Sequence, residues 1–203
     1  MRAGQTKRYN GHEVMLFPFD EMYISQGEHG GYCIDFVGWS PVSGQIAKYP
    51  YYAPCTCICV EKGVQDDYVI FNSINKVWIP GYSEPQYVCW QQGHDDTPCN
   101  VGDTFFQGEL IGHTGTTGQV SGDHCHYNTA LGHYDGWAST QLKNSIHIYD
   151  CCYIDDTTIY RDLGYPWKTF GETPTPQTSK RKKFPWVLYS TKIRNMKLNH
   201  NNR

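Results

Sequence analysis

The sequence has no long hydrophobic run, and only 18% of its 203 residues are charged. A membrane-spanning helix needs about 20 consecutive apolar residues, and no segment approaches that length. The opening residues, MRAGQTKRYNGHEVMLFPF, have no continuous apolar stretch of the kind found in a signal peptide. We therefore expect neither a transmembrane segment nor a conventional export signal in this chain.

Several common motifs are also missing. The nine cysteines include no C-x2-C pair, which argues against a structural zinc–thiolate site. Their odd number and their adjacent or alternating positions fit a disulfide framework poorly, so we predict mostly reduced, buried thiols. A second metal site among the cysteines remains the alternative. The sequence contains no internal repeat and no Walker-type phosphate loop.

Glycine (20), proline (11) and tyrosine (16) are abundant, and long amphipathic helical periods are scarce. This composition predicts a mostly β fold: an antiparallel, two-sheet, sandwich-like domain with an open groove, long loops and little helix. Residues 137–144 should form a short helical turn at most. The predicted domains are 1–171, a Pro/Thr linker at 172–179 and a basic tail at 180–203. The predicted strands are 55–62, 68–74, 104–111 and 125–131.

The most informative stretch is GHTGTTGQVSGDHCHY at residues 112–127, a glycine-rich loop followed by two histidines. Alternate side chains of a strand share a face, so His124 and His126 can enter one site while Cys125 points away. Upstream, SQGEHGGYCIDF provides His29 and Asp35, and His94 precedes a strand, turn and strand pattern. A catalytic zinc site needs about three such ligands and one open position.

These segments resemble the LytM/lysostaphin-type zinc peptidases (the M23 family), which cut peptidoglycan peptides. The resemblance covers roughly residues 20–135: a histidine ahead of V-x-x-G, then Q-G-x-x-I-G-x-x-G-x-T-G, then H-x-H and an aromatic residue. Here these are His94, residues 101–104, residues 107–118, and His124 to Tyr127; residues 101–104 read V-G-D-T, so the fourth position of V-x-x-G is Thr104.

Read residue by residue, the resemblance implies Zn²⁺ ligands at His29, Asp35 and His126, and catalytic roles for His94 and His124. One departure concerns the usual H-x-G-x-D, which is here the longer H-x5-D from His29 to Asp35. Such spacing is associated with members carried on bacteriophage tails. The implied activity is endopeptidase cleavage of cell-wall peptidoglycan, with the two catalytic histidines transferring protons.

Other interpretations stay open at this point. A catalytically inactive tail-tip component could keep the same fold, and a closed structural zinc site would need a fourth ligand, with His94 or Cys33 as candidates. A free endolysin released at lysis is a further alternative. Among the remaining histidines, His113 lies beside the site at a variable position of the family pattern. We expect ordinary surface or hydrogen-bonding roles for the others, which are His12, His133, His147 and His200.

Charge is distributed unevenly along the chain. The tail KRKKFPWVLYSTKIRNMKLNHNNR has 8 of the 17 basic residues and no acidic residue, which leaves residues 1–178 with 9 basic against 20 acidic residues. Its aromatic, β-prone centre is suited to adding a strand to a partner. We expect docking onto a phage tail protein, hence a virion location, and no nucleic-acid partner. Binding to wall polymers and an unstructured end are the alternatives.

Overall fold

A computed structural model describes residues 1–65 and 67–171. These residues form sixteen strands and one short helix. The strands of the first half are β1 (Arg8–Tyr9), β2 (His12–Glu13), β3 (Glu21–His29), β4 (Cys33–Ser40), β5 (Gly44–Ile46), β6 (Pro50–Tyr52), β7 (Cys57–Lys62), β8 (Tyr68–Ser73) and β9 (Val88–Gly93). The later elements are β10 (Thr104–Phe105), β11 (Leu110–His113), β12 (Cys125–Leu131), β13 (Trp137–Ala138), β14 (Gln141–Leu142), β15 (Ser145–Ile146), α1 (Ile148–Cys151) and β16 (Thr158–Ile159).

A ten-stranded sheet dominates the described residues. Its strand order is β10-β7-β8-β9-β12-β4-β3-β16, with β15 paired to β12 and β5 paired to β4. Three two-stranded sheets, β1-β2, β11-β6 and β13-β14, complete the architecture. Among the strands of the described residues, only the β16–β3 pair is parallel. The prediction of a mostly β, largely antiparallel domain with little helix is confirmed.

The main core lies on one face of the large sheet. In β12, Cys125 and Tyr127 belong to this core and are fully buried. Trp90 of β9 stacks on Phe71 of β8 in the same cluster, with ring centroids 5.4 Å apart. Each large apolar side chain buried in this way contributes about 2–3 kcal/mol. Because side chains alternate along a strand, His126 points to the opposite face.

Two of the sequence predictions need correction. Residues 137–144 form no helical turn, because Trp137 and Ala138 pair with Leu142 and Gln141 in the β13–β14 hairpin. The strand predicted at 104–111 is two strands that pair with different partners, β10 with β7 and β11 with β6. Gly108, at a φ of +88°, turns the chain between them. The linker 172–179 and the basic tail 180–203 lie outside the described residues.

All nine cysteines are free, as predicted, and eight are buried. Cys125 is part of the main core and therefore lies on the face opposite His126. No helix in the described part of the chain is both long and apolar enough to cross a membrane.

Candidate metal centre

A row of directly paired residues crosses five strands of the large sheet. Tyr68 in β8 pairs with Gly93 in β9, and Gly93 pairs with His126 in β12. His126 pairs with Asp35 in β4, which pairs with Gln26 in β3. Residues directly opposite each other share a face of the sheet. The row therefore forms a floor with His126 and Asp35 near its centre and with Tyr68 and Gln26 at its two ends.

His29 enters the site from the end of β3. Residues 30, 31 and 32, between β3 and β4, all have positive φ, and His29 pairs with Cys33 directly after this turn. Two register shifts in β3 adjust its pairing with β4. The residues between His29 and Asp35, which make the H-x5-D spacing longer, therefore form a tight hairpin. It places His29 and Asp35 on adjacent strands of the same sheet.

His94 follows β9 and occupies the left-handed region, with a φ of +74°. This backbone conformation is uncommon for a residue other than glycine and is costly unless the surroundings impose it. The His94 amide donates to the Asp67 carbonyl at 2.7 Å, and the His94 carbonyl accepts from the Thr117 amide at 3.1 Å. These bonds hold His94 against the glycine-rich loop that leads to His124.

The glycine-rich loop approaches His94 closely. A Cβ added at Gly115 would lie 2.1 Å from the His94 carbonyl oxygen, which excludes any side chain there. Gly115 also exchanges two backbone hydrogen bonds with His124, both 3.1 Å long. The loop thereby connects His94 and His124, whose ring centroids are 4.6 Å apart.

The three predicted metal ligands converge. His126 Nδ1 lies 2.9 Å from Asp35 Oδ1, and His29 Nε2 lies 3.6 Å from the same oxygen. One donor atom from each of His29, Asp35 and His126 lies within 4.8 Å of the other two. Neither His94 nor Cys33, the candidates for a fourth ligand, joins this cluster. Imidazole nitrogens with one carboxylate oxygen are the donor set that suits zinc.

Three of the four histidines at the site have a ring nitrogen bonded to a backbone carbonyl. His29 Nδ1 meets Gly27 O, His94 Nδ1 meets Thr117 O, and His124 Nδ1 meets Gly122 O, each at 2.9 Å. A carbonyl only accepts hydrogen bonds, so in the neutral ring each Nδ1 carries the proton and each Nε2 has a lone pair. His124 Nε2 lies 3.8 Å from Asp35 Oδ2, at the edge of the cluster.

Burial and hydrogen bonding shift the pKa values of three groups at the site, Asp35, His94 and His126. Burial would raise the pKa of Asp35, but the hydrogen bond with His126 and the nearby imidazoles bring it below its usual value. Burial would lower the pKa of His126, yet hydrogen bonds with Asp35 and Cys33 raise it to about 9. Burial lowers the pKa of His94, partly offset by its bond to Thr117. His94 is therefore neutral near pH 7.

Sequence reasoning missed the residues that support this site. Asp95 is 3% exposed and accepts hydrogen bonds from the Tyr51 hydroxyl at 3.2 Å and from the His113 amide at 2.7 Å. It anchors the chain directly after His94. The Thr117 and Gly122 carbonyls orient two of the rings. Backbone carbonyls leave no signal in a sequence, and Asp95 resembles any loop aspartate beside a histidine.

The histidines expected to have ordinary surface or hydrogen-bonding roles have hydrogen-bond partners outside the ligand cluster, where the structure describes them. His12 Nδ1 contacts the Lys76 carbonyl at 3.0 Å, and His133 Nε2 contacts the Ser73 carbonyl at 3.0 Å. His147 pairs with Glu28 through Nδ1. The backbone amide of His113 bonds to Asp95. His200 lies outside the described residues.

The known proteins similar to this chain include a relative of substantial identity. No protein-family model matches the chain. The chain is 38% identical over 175 residues to Morphogenesis protein 1 of Bacillus phage B103, which covers 80% of this chain and 46% of that protein. This chain therefore spans about half the length of that relative.

Two of the solved structures that match this chain are catalytic domains. One is the catalytic domain of the antimicrobial peptidase lysostaphin from Staphylococcus simulans, at 16% identity and a TM-score of 0.40. The match covers 60% of this chain and 84% of the lysostaphin domain. The catalytic domain of the prophage-encoded M23 protein EnpA from Enterococcus faecalis matches 62% and 88%, at 14% identity and a TM-score of 0.40. At these identities and TM-scores, the likeness says nothing about the activity of this chain.

Proposed function

We propose that this chain is a zinc-dependent endopeptidase that hydrolyses peptide bonds in bacterial peptidoglycan. One observation carries the proposal: His29, Asp35 and His126 converge on one point, with two further imidazoles beside them. A purely structural zinc site is usually closed by four protein ligands. Three ligands beside two non-ligand histidines are instead typical of a hydrolytic centre.

The donor set fits zinc at this position. His29 Nε2, Asp35 Oδ1 and His126 Nδ1 would hold the ion, and the bond from His29 Nδ1 to the Gly27 carbonyl fixes the tautomer that this requires. A bound Zn²⁺ supplies a Lewis acid that polarises a carbonyl and lowers the pKa of water to about 7.

The remaining histidines provide the proton transfers. His94 and His124 each have Nδ1 committed to a carbonyl, which leaves Nε2 able to accept a proton and later to donate it to the leaving amine. The lowered pKa of His94 keeps its ring neutral and thus ready to act as a base. The left-handed backbone of His94 fixes where its ring lies relative to His124.

The floor of the site supports an extended substrate. Gly93 sits beside His126 in the row and has no side chain to block the sheet surface. A peptide lying across the strands would pass Tyr68 on one side of the metal ligands and Gln26 on the other. Peptidoglycan stem peptides and cross-bridges are short, extended chains of this kind.

The first experiment measures zinc content and wall hydrolysis together. We expect about one zinc per chain and the release of new amino groups, without new reducing sugars, from purified peptidoglycan. Asp35→Ala should lose both zinc and cleavage. His12→Ala removes an imidazole remote from the site and serves as the matched control, with both properties unchanged. Bound zinc without cleavage of several wall types would instead indicate a structural component of the same fold.

We also propose that the enzyme is carried on a phage tail and docks there through residues 180–203. The 38% identity to a phage morphogenesis protein and the basic, aromatic composition of this segment support the proposal. A chain ending at residue 171 should keep its zinc and its hydrolysis of peptidoglycan but lose association with purified tails. Undiminished association of the shortened chain would refute the docking role and leave the enzymatic proposal intact.

A further inference from the structure

Asp96, two residues after His94, is a carboxylate that the proton transfers proposed above do not use. Its Oδ1 accepts three hydrogen bonds from the glycine-rich loop. They come from the Thr116 amide at 2.8 Å, from the Thr116 hydroxyl at 3.2 Å and from the Thr117 hydroxyl at 3.1 Å. Hydrogen bonds to a carboxylate are about twice as strong as those between neutral groups. Asp96 therefore holds the middle of the loop against the chain that follows His94.

One of the residues that Asp96 holds is the residue that orients the His94 ring. The Thr117 carbonyl accepts a hydrogen bond from His94 Nδ1 at 2.9 Å, and the Thr117 amide donates to the His94 carbonyl at 3.1 Å. The Thr117 hydroxyl donates to Asp96. Backbone and side chain of Thr117 are thus both tied to the segment 94–96. Asp96 acts on the His94 ring through Thr117, because a displaced Thr117 carbonyl no longer receives Nδ1.

The preceding carboxylate holds a different part of the loop. Asp95 accepts from the His113 amide at 2.7 Å, near the start of the loop, whereas Asp96 accepts from residues near its centre. Between these two attachments the backbone at Gly115 lies so close that an added Cβ would be 2.8 Å from the Asp96 amide nitrogen. Removing the Asp96 carboxylate should therefore leave the start of the loop in place and release the part that contains Thr117.

The second oxygen of Asp96 pairs with Lys48, which also contacts the residue before His124. The Lys48 ammonium donates to Asp96 Oδ2, and the Lys48 amide donates to Asp123 Oδ2 at 3.1 Å. The Lys48 side chain is 61% exposed and that of Asp96 is 25% exposed. An ion pair this accessible to water contributes little. The three hydrogen bonds to Oδ1, and not the ion pair, therefore provide most of the hold of Asp96 on the loop.

We propose that Asp96 is a positioning residue for proton transfer by His94. It fixes Thr117, and the Thr117 carbonyl keeps the His94 ring in the orientation that leaves Nε2 free beside His124, with the two ring centroids 4.6 Å apart. A displacement of about 1 Å at a reacting group can lower a rate by about 100-fold. The proposal rests on the proposed function, because it assigns Asp96 a part in the reaction of that same site.

The first test compares two substitutions of Asp96 in the full chain. Asp96→Ala removes the acceptor, so kcat for peptide hydrolysis should fall about 10- to 100-fold, while KM and zinc content stay unchanged. Asp96→Asn keeps an acceptor oxygen and loses only the charge, so kcat should remain within about threefold. Asp135→Ala removes a carboxylate paired with Lys143 at 3.8 Å and is the matched control, with unchanged kcat. Equal losses of kcat in the two Asp96 variants, or loss of zinc in Asp96→Ala, would overturn the proposal.

The second test needs no enzymatic activity. Long-range ¹H–¹⁵N NMR spectra show which nitrogen of a neutral histidine ring carries the proton, and His94→Gln identifies the His94 signals by their absence. We expect a proton on Nδ1 in the unmodified chain and in Asp96→Asn, and a mixture of both tautomers in Asp96→Ala, because the Thr117 carbonyl no longer holds Nδ1. An unchanged His94 spectrum in Asp96→Ala would overturn the proposal. The expected spectra in a chain that cleaves no peptide would instead refute the proposed function, with Asp96 still shown to orient the ring.

Discussion

At the scale of single residues, His124 and His126 differ in which ring nitrogen is free. The His124 ring gives Nδ1 to the Gly122 carbonyl, so its Nε2 remains available beside Asp35. The His126 ring turns Nδ1 toward Asp35 itself, inside the ligand cluster. Two histidines that look equivalent in the sequence are thus suited to different work, proton transfer at position 124 and metal binding at position 126.

This difference predicts distinct losses on substitution. His126→Ala should abolish both zinc binding and hydrolysis, because one of three ligands is gone. His124→Ala should keep most of the zinc and lower kcat by at least about 100-fold, the usual contribution of a general acid or base. The check is to measure zinc content and the rate of peptide hydrolysis on the same preparation of each variant. Equal metal loss in the two variants would mean that their roles have been assigned wrongly.

The raised pKa of His126 predicts how the stability of the zinc-free protein depends on pH. The pKa is about 9 in the folded chain and 6.5 in the reference state. A raised pKa adds to the free energy of unfolding, and this contribution is complete below about pH 6.5 and is lost as pH rises through about 9. The contribution is at most about 3 kcal/mol. Urea unfolding in chelator should show this loss. His126→Gln has no such group and should lack this component of the pH dependence; parallel curves for the two proteins would contradict the assignment.

At the scale of elements, the loop at 112–123 positions both non-ligand histidines. The Thr117 carbonyl of this loop accepts a hydrogen bond from the His94 ring, and Gly115 lies against the His94 carbonyl. Gly115 also exchanges backbone hydrogen bonds with His124. The glycine-rich pattern indicated a sharply turning loop next to the site. The sequence did not indicate which glycine permits the close contact, because that depends on the distance to a residue some twenty positions upstream.

Two glycines of this region provide a matched test. Gly115→Ala would place a methyl group 2.1 Å from the His94 carbonyl oxygen, so the loop must shift and hydrolysis should fall by at least about tenfold. Gly122→Ala has no heavy atom within 4 Å of its new methyl group and should leave hydrolysis unchanged. Zinc content should remain normal in both variants, because neither residue contacts a ligand of the cluster. Full activity in Gly115→Ala would show that the loop relaxes without moving His94.

At the scale of the whole molecule, the cluster joins three adjacent strands of the large sheet. Its ligands come from the last residue of β3, from near the start of β4 and from near the start of β12, almost a hundred residues later in the chain. Zinc at this point would therefore link two distant parts of the chain and stabilise the fold. A ligand at about 1,000 times its Kd adds about 4 kcal/mol of stability.

We accordingly expect zinc to raise the Tm by roughly 10 °C relative to the chelated protein, since each kcal/mol shifts the Tm of a domain of this size by about 2–4 °C. Asp35→Ala should unfold at the same temperature with and without zinc, whereas His12→Ala should show the full shift. Differential scanning calorimetry measures the Tm of the unmodified chain and of both variants, with and without zinc. A shift that persists in Asp35→Ala would place the stabilising ion elsewhere.

The sequence by itself determined the mostly β class and indicated the free thiols, because strand alternation and side-chain chemistry are local properties. The ligand set His29, Asp35 and His126 came from the resemblance of these segments to one family. The sequence could not determine how Thr104–Phe105 and Leu110–His113 divide between two sheets, or that residues 137–142 form a hairpin, since both depend on partners distant in the chain. Only the tertiary structure decided which ring nitrogens of the site bond to backbone carbonyls and that the backbone of His94 is left-handed. Each of these depends on an atom supplied by another part of the fold.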